Sequence, residues 1–245
     1  MFLSTVYSRQ YRLVNVRAAS YWQLRECLDP VHGESLALPP AQLSARAMRD
    51  DPVHIAVFGT NPEHRLRQLT RFFATLLRVL QAPPLSLWEG QRLLGVAGRA
   101  PPGTCWPPMA TRFRMAARLL SPNLPQLWRL GRWLHACEQR DLPEPHWHLG
   151  PIAVAIGRQG QGLGTRMLQA LCMDLDHASQ VAFLETDKPA NVRFYGKFGF
   201  EVVNEADVLV TRNWWMRRPA PDGAHEPGSR SATGGPLRSK SDAAR

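Results

Sequence analysis

Three glycines stand at alternate positions, Gly160, Gly162 and Gly164, where an apolar run gives way to a helical pattern. The first turn of a helix carries unpaired backbone N–H donors and the positive end of the helix dipole. Glycine lets that backbone approach an oxygen atom without a Cβ in the way. A phosphate group suits such a turn, and Arg158 and Arg166 flank it with positive charge. The alternative is an ordinary flexible connection.

The spacing of these glycines differs from the common nucleotide motifs. No Gly-Lys-Ser/Thr follows, so the stretch is not a P-loop. Gly-x-Gly-x-Gly is not Gly-x-Gly-x-x-Gly, and no acidic residue ends a following strand about twenty residues on, as a Rossmann fold requires. The stretch therefore predicts a phosphate-binding turn of another kind.

The elements around the glycines alternate between strand and helix, which predicts a mixed α/β domain with one main sheet. Helical spacing of apolar residues is clearest at 61–80, with Asn61 as a plausible cap. "DDPVH" (50–54) is interpreted as a break. The other predicted helices are 39–48, 109–120, 124–139, 162–178 and 191–199, and the predicted strands are 34–38, a pair at 84–98 turned at Glu89-Gly90, 147–156, 181–186 and 200–210.

Composition limits the class of protein. The chain has 245 residues, 44% of them hydrophobic, and a formal net charge of +10, carried almost entirely by arginine. A GC-rich genome would explain this, and so would an anionic partner such as nucleic acid, a membrane surface or a phosphorylated ligand. No apolar run approaches the roughly 18 residues of a membrane span. The basic amphipathic helix predicted at 112–120 could lie on a membrane or cover a pocket, but a solvated face is expected.

The four cysteines, at positions 27, 105, 137 and 172, are scattered, with no Cys-x-x-Cys and no paired histidines nearby. Neither a disulfide framework nor a zinc site is therefore expected. Buried thiols in a reducing cytosol are the expectation, which predicts a cytoplasmic protein without a metal.

Several motifs in order resemble the GCN5-related N-acetyltransferase (GNAT) superfamily. "QGQGLG" (159–164) matches its [QR]-x-x-G-x-[GA] signature, and "FLETDKPANVRFYGKFGFEVV" (183–203) is similar to its second motif. "PHWHLGPIAV" and the closing "WWMRRP" resemble the puromycin N-acetyltransferase-like branch. The clear match covers residues 145–219. Two positions depart from that branch: Ala153 stands where it has glycine and Ile156 where it has proline, which changes the exit from the strand but keeps the phosphate-binding glycines.

The resemblance implies a GNAT-like fold, a single mixed sheet whose central parallel strands splay apart and are flanked by helices. It implies three segments: an N-terminal extension at 1–30, the acetyltransferase domain at 31–218 and a disordered tail at 219–245. The first could be a transit peptide, a disordered extension or a misassigned start. The tail is rich in Pro, Gly, Ser and Ala, which leaves little to bury.

The resemblance also implies acetyl-CoA as co-substrate. Its pantetheine arm would lie between strands 147–156 and 181–186 and pair with the backbone of Ile152, Ala153 and Val154. The loop would hold the diphosphate through Arg158, Gln159, Gly160, Gln161, Gly162, Leu163, Gly164 and Thr165. Asn191 would bind the arm or, alternatively, cap the short helix.

Two residues are the predicted catalytic groups. Tyr195 lies where the family keeps a tyrosine that protonates the departing thiolate, and the alternative is a core tyrosine with a satisfied hydroxyl. Glu185 is the candidate base, or a structural carboxylate. His146 or His148 could relay the proton from the amine, although a surface histidine is the commoner case. Trp214 and Trp215 could wall the acceptor pocket, but core packing is the stronger expectation.

The predicted function is transfer of acetyl from acetyl-CoA to a small-molecule primary amine by direct attack in a ternary complex. Alternatives are a protein or peptide acetyltransferase, a CoA-binding regulatory protein without turnover, and a nucleic-acid-associated protein. Scattered arginines without a reading motif count against the last of these, and no specific nucleic-acid partner is predicted. An open groove would favour a protein acceptor, and a closed aromatic cavity a small one.

Overall fold

A computed structural model describes the backbone of residues 11–13, 22–27, 34–106, 108, 110–111 and 124–221, with side chains from residue 39 onward in those ranges. The predicted helix at 112–120 and nearly all of the predicted tail lie outside the described residues. No helix in the described ranges has the length and apolarity to cross a bilayer.

The described residues form eight strands and six longer helices around one sheet. The strands are β1 (Tyr11–Leu13), β2 (Trp22–Cys27), β3 (Leu85–Glu89), β4 (Arg92–Ala100), β5 (Trp147–Val154), β6 (Ala182–Thr186), β7 (Glu201–Val208) and β8 (Thr211–Arg218). The helices are α1 (Glu34–Ala47), α2 (Pro52–Phe58), α3 (Pro62–Val79), α4 (Leu124–Glu138), α5 (Leu163–His177) and α6 (Pro189–Gly196).

The sheet has the strand order β1-β2-β3-β4-β5-β6-β8-β7. Strands β5 and β6 are parallel, and the other neighbours are antiparallel. This is the predicted single mixed sheet with a central parallel pair, and that fold prediction is confirmed. Strands β1 and β2 lie within residues 1–30, where no strand was predicted.

Helices cover both faces of the sheet, because alternate strand residues point to opposite sides. On β6 and β8, Leu184 and Met216 pack with α5 in one core, whereas Phe183 and Trp215 pack with α2, α3 and α4 in the other. Helix α5 therefore closes one face, directly after the glycine loop, and the N-terminal helices close the other.

The longest helix follows its sequence signals. Helix α3 has Pro62 in its first turn, and the Asn61 side chain accepts a hydrogen bond from the His64 N–H at 2.9 Å. Leu69, Phe73 and Leu77 form its buried stripe. The prediction of a capped amphipathic helix over 61–80 is confirmed.

One local prediction is wrong. Residues 34–38 were expected to form a strand but belong to α1, since Glu, Leu and Ala favour helix and the helix continues through Pro39 and Pro40. The helix that precedes "DDPVH" ends at Ala47, as expected, but the stretch also contains the start of α2 at Pro52, which was not predicted. Proline suits a first helical position, because its missing N–H would have no partner there.

Strands β4 and β5 approach closely at one point. The pairing is irregular between Ala97 and Arg99, and a Cβ added to Gly98 would lie 2.3 Å from the carbonyl oxygen of Gly150. Only a residue without a side chain fits here. This contact sets the position of β5, whose other edge opens toward the candidate site.

Candidate active site

The two central parallel strands pair only at their start. The partners are Trp147 with Ala182 and His148 with Phe183, and beyond these residues the strands diverge. On its other edge β5 stays paired with β4 through Val154. The described sheet therefore contains the splay that the fold prediction required.

The backbone of β5 offers donors to this opening. Ala155 N–H donates to the Leu94 carbonyl of β4 at 2.8 Å. Since successive strand residues direct their N–H groups to opposite edges, the N–H groups of Ile152 and Val154 face the opening, and that of Ala153 faces β4. Of the three predicted residues, two thus have the orientation that pairing with an extended ligand needs. The Val154 carbonyl accepts from Gln159 Nε2 at 3.2 Å, an exposed bond that a ligand could replace.

The glycine loop has the backbone that its residue types predict. Gly157, Gly160 and Gly162 have φ of 80°, 76° and 76°, and a Cβ added to any of them would meet no atom within 4 Å. These angles lie in the left-handed region that favours glycine. Helix α5 begins directly after Gly162. The loop is therefore shaped by its own sequence and leaves open space above the helix N-terminus.

Most backbone N–H groups of this loop have no acceptor among the described residues. Arg158 N–H bonds to Ala155 O, and Arg166 N–H to Gly162 O as the first bond of the helix. Between them, from Gln159 to Thr165, no backbone N–H donates to another atom of the described residues. Unpaired donors at a helix N-terminus form an anion-binding site.

Arg158 is already paired with a carboxylate. Its guanidinium contacts Glu89 at 3.0 and 3.2 Å and Gln161 Oε1 at 3.0 Å. The pairing lowers the pKa of Glu89. A diphosphate would therefore compete with Glu89 for Arg158. The unpaired N–H groups of the loop are the better candidates for binding the diphosphate.

One cavity of about 640 Å³ connects the loop with the interior between the sheet and the N-terminal helices. Its lining includes Gly160, Gly164 and Thr165 at the loop end and both predicted catalytic residues, Glu185 and Tyr195. Deeper in, aromatic rings from α3, α4 and the loop after β4 line it: Phe72, Phe73, Trp106 and Trp133. Gln161 is the one predicted loop residue outside this lining.

Tyr195 lies in α6 with 8% of its surface exposed, against Phe194 and Phe200. Within the described part of the chain its hydroxyl makes no hydrogen bond, so it is not a core tyrosine satisfied by protein. Burial, with the charges of Glu185 and Asp51, raises its pKa well above the ordinary value. The phenol keeps its proton at neutral pH, as a proton donor must.

Asn191 faces the cavity from the first turns of α6. Its Nδ2 donates to Thr186 Oγ1 at 3.0 Å, and the residue before the helix is Lys188, which makes no side-chain cap. The alternative in which Asn191 caps the helix is therefore wrong. Its side chain instead ties α6 to the end of β6 beside the opening.

Glu185 lies on β6 and accepts a hydrogen bond from His148 of β5, with Nε2 and Oε2 2.8 Å apart. Burial disfavours a charged His148 ring, but the Glu185 carboxylate and the Cys105 thiol outweigh it and hold the pKa of His148 well above its usual value. Glu185 itself is partly exposed to the cavity. The pair spans the point where the central strands begin to diverge.

A further group lies beside this pair: Cys105, Asp141 and His146. Burial opposes the charged forms, yet hydrogen bonds to Asp141 and Cys105 raise the pKa of His146 to about 10. Burial would also raise the pKa of Cys105, but the two histidines lower it to about 7. The sequence could indicate that the two histidines lie together, since residues two apart on a strand share a face. It could not indicate that Cys105 and Asp141 join them, because these two residues come from separate loops.

Acidic groups also line the deep end of the cavity. Asp187 accepts from the Val53 N–H of α2 at 2.6 Å, and Asp51 forms an ion pair with Lys188. Burial raises the pKa of Asp51 to about 6, against the opposing effect of Lys188. Neither Asp51 nor Asp187 was singled out in the sequence. Together they make this end of the cavity suited to a cation.

The two tryptophans of β8 do not wall the cavity. Trp215 is fully buried in the core, with Arg140 4.8 Å from its ring centre. Trp214 donates from Nε1 to Glu205 at 3.0 Å on the exposed side. Core packing was the stronger expectation for one of them, and Trp215 confirms it.

Residues 119–200 match the model of the Acetyltransferase (GNAT) family, a span that includes the glycine loop, Glu185 and Tyr195. The fold is also similar to a histone acetyltransferase HPA2 and related acetyltransferase from Corynebacterium glutamicum, at 13% identity with a TM-score of 0.58, over 79% of this chain and 96% of that one. The matched residues and the fold both indicate the GNAT superfamily, as the motifs predicted. The match also supports the predicted class of enzyme, an acetyl-CoA-dependent N-acetyltransferase.

Other GNAT-type structures are more distant. An N-acetyltransferase from Staphylococcus aureus is 14% identical with a TM-score of 0.46, covering 82% of this chain and 99% of that one. A GNAT family acetyltransferase from Brucella melitensis, in complex with acetyl-CoA, is 16% identical with a TM-score of 0.44, covering 84% and 91%. The puromycin N-acetyltransferase-like branch stays a prediction.

Proposed function

We propose that this GNAT protein transfers acetyl from acetyl-CoA to the primary amine of a small molecule, by direct attack in a ternary complex. One observation carries the proposal. The unpaired amides from Gln159 to Thr165 open into the same cavity as Tyr195 and Glu185. A site for the donor's phosphates and groups suited to proton transfer thus share one space.

The donor would occupy the opening between β5 and β6. Its diphosphate would accept hydrogen bonds from the loop amides at the N-terminus of α5, where the helix dipole adds positive potential. Its pantetheine arm would pair with the outward N–H groups of Ile152 and Val154. Either of these N–H groups could then donate to the oxyanion that forms at the thioester carbonyl.

The acceptor would occupy the deep end of the cavity. A volume of about 640 Å³ falls within the usual range for small-molecule sites. The aromatic rings of Phe72, Phe73 and Trp133 offer apolar contact, and Asp51 and Asp187 attract an ammonium group. An acceptor with an apolar body and one primary amine fits these surroundings.

The reaction needs two proton transfers. The neutral amine attacks the thioester carbonyl, and the C–S bond breaks as the amide bond forms. Glu185 accepts the amine proton, directly or through an ordered water, and Tyr195 gives its proton to the CoA sulfur. Glu185 then gives up its proton and Tyr195 regains one, either by direct transfer between them or through solvent, so the enzyme ends as it began.

Release of CoA thiol from acetyl-CoA, followed with a chromogenic disulfide over a panel of amines, tests the proposal. We expect small apolar primary amines to accelerate release above the rate of spontaneous hydrolysis. Acceleration by peptide amines alone would favour the protein acetyltransferase alternative. If calorimetry shows that acetyl-CoA binds but no amine accelerates thiol release, the protein is not a transferase, and the alternative of a regulatory CoA-binding protein is favoured.

A further inference from the structure

Four side chains that the acetyl transfer does not require meet beside the cavity. Cys105 comes from the loop after β4, Asp141 from the loop after α4, His146 from the residue before β5, and His148 from the start of β5. One ligand atom from each lies within 4.8 Å of all the others. The group cannot be recognised from the spacing of its residues in the sequence, because three separate segments of the chain supply them.

The spacing suits a small tetrahedral ion. Cys105 Sγ lies 3.5 Å from His146 Nε2, and Asp141 Oδ1 lies 3.0 Å from His146 Nε2 and 4.0 Å from His148 Nδ1. Zinc bonds of about 2.0–2.3 Å place tetrahedral ligands roughly 3.3–3.8 Å apart. The contact of 4.0 Å, and the limit of 4.8 Å on every pair, require shifts of up to about 1 Å to bring these atoms onto one centre.

Three of the four ligands, His146, His148 and Asp141, are held by a partner on the far side. His146 Nδ1 is 2.8 Å from the Glu144 carbonyl, and His148 Nε2 is 2.8 Å from Glu185 Oε2. Asp141 Oδ2 accepts from Trp106 Nε1 at 2.8 Å. A ring nitrogen that donates to oxygen leaves the other nitrogen with a lone pair, which here points into the group. Such outer partners are the rule around metal-binding histidines.

Two polar atoms that face the centre of this group have no hydrogen-bond partner among the described residues. Asp141 Oδ1 and His148 Nδ1 are buried, and neither makes a hydrogen bond within the described residues. The 3.0 Å approach of His146 Nε2 to Asp141 Oδ1 is an ion contact without hydrogen-bond geometry. Buried polar atoms rarely stay without a partner, and a cation would satisfy both.

We propose that Cys105, Asp141, His146 and His148 bind one Zn²⁺. A thiolate and two imidazoles select zinc over magnesium or calcium, which prefer oxygen ligands. Four protein ligands fill a tetrahedral shell and leave no position for a reactive water. The ion therefore holds structure in place and takes no part in the acetyl transfer, which needs no metal.

The ion would also position Glu185. With zinc on Nδ1, the His148 proton stays on Nε2 and is donated to the Glu185 carboxylate. That bond fixes the carboxylate at the mouth of the opening between β5 and β6. The same ion would tie the Cys105 loop and the Asp141 loop to the start of β5. The zinc site would thus hold the acceptor side of the cavity in one arrangement.

Zinc titration of the metal-free full-length protein, in competition with a chromophoric chelator, tests the proposal. We expect one ion per chain. Cys105→Ala should weaken binding at least 100-fold, and Glu185→Gln, which alters only the outer partner of His148, about 10–100-fold. Cys172→Ala is the matched control, since Cys172 lies in the α5 core and should leave zinc affinity unchanged.

Cobalt(II) gives a second readout on the unaltered protein. We expect a thiolate-to-cobalt charge-transfer band that zinc abolishes and that is absent in Cys105→Ala. Absence of this band in the unaltered protein, or equal zinc affinity in Cys105→Ala, would overturn the proposal. Neither readout depends on acetyl-CoA, so its failure is distinct from failure of the proposed function.

Discussion

At the scale of single residues, the proposed chemistry depends on a phenol and a carboxylate that share a cavity. Tyr195 is buried without a hydrogen-bond partner among the described residues, so its hydroxyl is available to an occupant of the cavity. Its raised pKa keeps the proton on the phenol at neutral pH, so the group is in the form that can donate to the departing sulfur. This combination separates a proton donor from a merely packed tyrosine.

Replacing Tyr195 with Phe removes the proton donor and keeps the ring. We expect kcat to fall by about 10²-fold or more, the usual contribution of a positioned acid, while the dissociation constant for acetyl-CoA changes less than about twofold. Steady-state thiol release and calorimetry measure the two quantities. An unchanged kcat would assign Tyr195 to the core alone.

Asp51 predicts an unusual pH dependence of stability. Its folded pKa of about 6 exceeds the ordinary 3.8, so the folded state holds this proton more tightly than the unfolded chain. The contribution of Asp51 to the free energy of unfolding should therefore fall as pH rises from about 4 to about 6, by an amount on the order of 2 kcal/mol, while carboxyls with lowered pKa values such as Asp50 act in the opposite direction. Urea unfolding at several pH values measures it.

Asp51→Asn is the control for this effect, because the amide cannot titrate. The difference in unfolding free energy between the variant and the unaltered protein should grow in favour of Asn across the same pH window. A difference that stays constant with pH would mean that Lys188 compensates the burial of Asp51 in full.

At the scale of elements, the strand β5, the glycine loop and helix α5 form the proposed donor site. The sequence predicted this unit because its signals are local: an apolar run, glycines where φ is positive, and a helical pattern. The zinc ligands were missed, and a zinc site was not expected, because Cys105 and Asp141 meet β5 only through tertiary packing. Local sequence patterns predict helices and strands, whereas contacts between distant loops can be identified only from the folded structure.

Gly160→Ala tests the loop against a matched backbone control. Gly160 has φ of 76° and Gly103 has φ of 75°, and a Cβ added to either meets no atom within 4 Å. Alanine should cost about 1–2 kcal/mol of strain at both sites. Only Gly160→Ala should also weaken acetyl-CoA binding, by about tenfold or more, as measured by calorimetry. Equal affinities in the two variants would place the diphosphate elsewhere.

At the scale of the whole molecule, two cores share one sheet, and the opening between β5 and β6 exists because β5 is held firmly on its other edge. The sequence predicted the sheet and the layers of helices, because apolar residues recur with a different period in strands and in helices. It did not predict β1, β2 or α2, because short elements carry little periodicity.

Gly98→Ala should loosen the attachment of β5 to β4. The new Cβ would lie 2.3 Å from the backbone oxygen of Gly150, so the strands must separate. We expect the unfolding free energy to drop by about 1–3 kcal/mol, as overpacked cores show. Gly131→Ala, in α4 with nothing within 4 Å, should instead stabilise by about 0.5–1 kcal/mol. Thermal or urea unfolding distinguishes these signs, and a neutral Gly98→Ala would contradict the close contact.

Backbone amide shift mapping during an acetyl-CoA titration tests the central claim most directly. The account predicts that the largest ¹H–¹⁵N changes occur at residues 159–165, followed by Ile152 and Val154, and that they saturate with the ligand. Saturable binding that leaves the 159–165 amides unshifted, or no binding by folded protein, would contradict it.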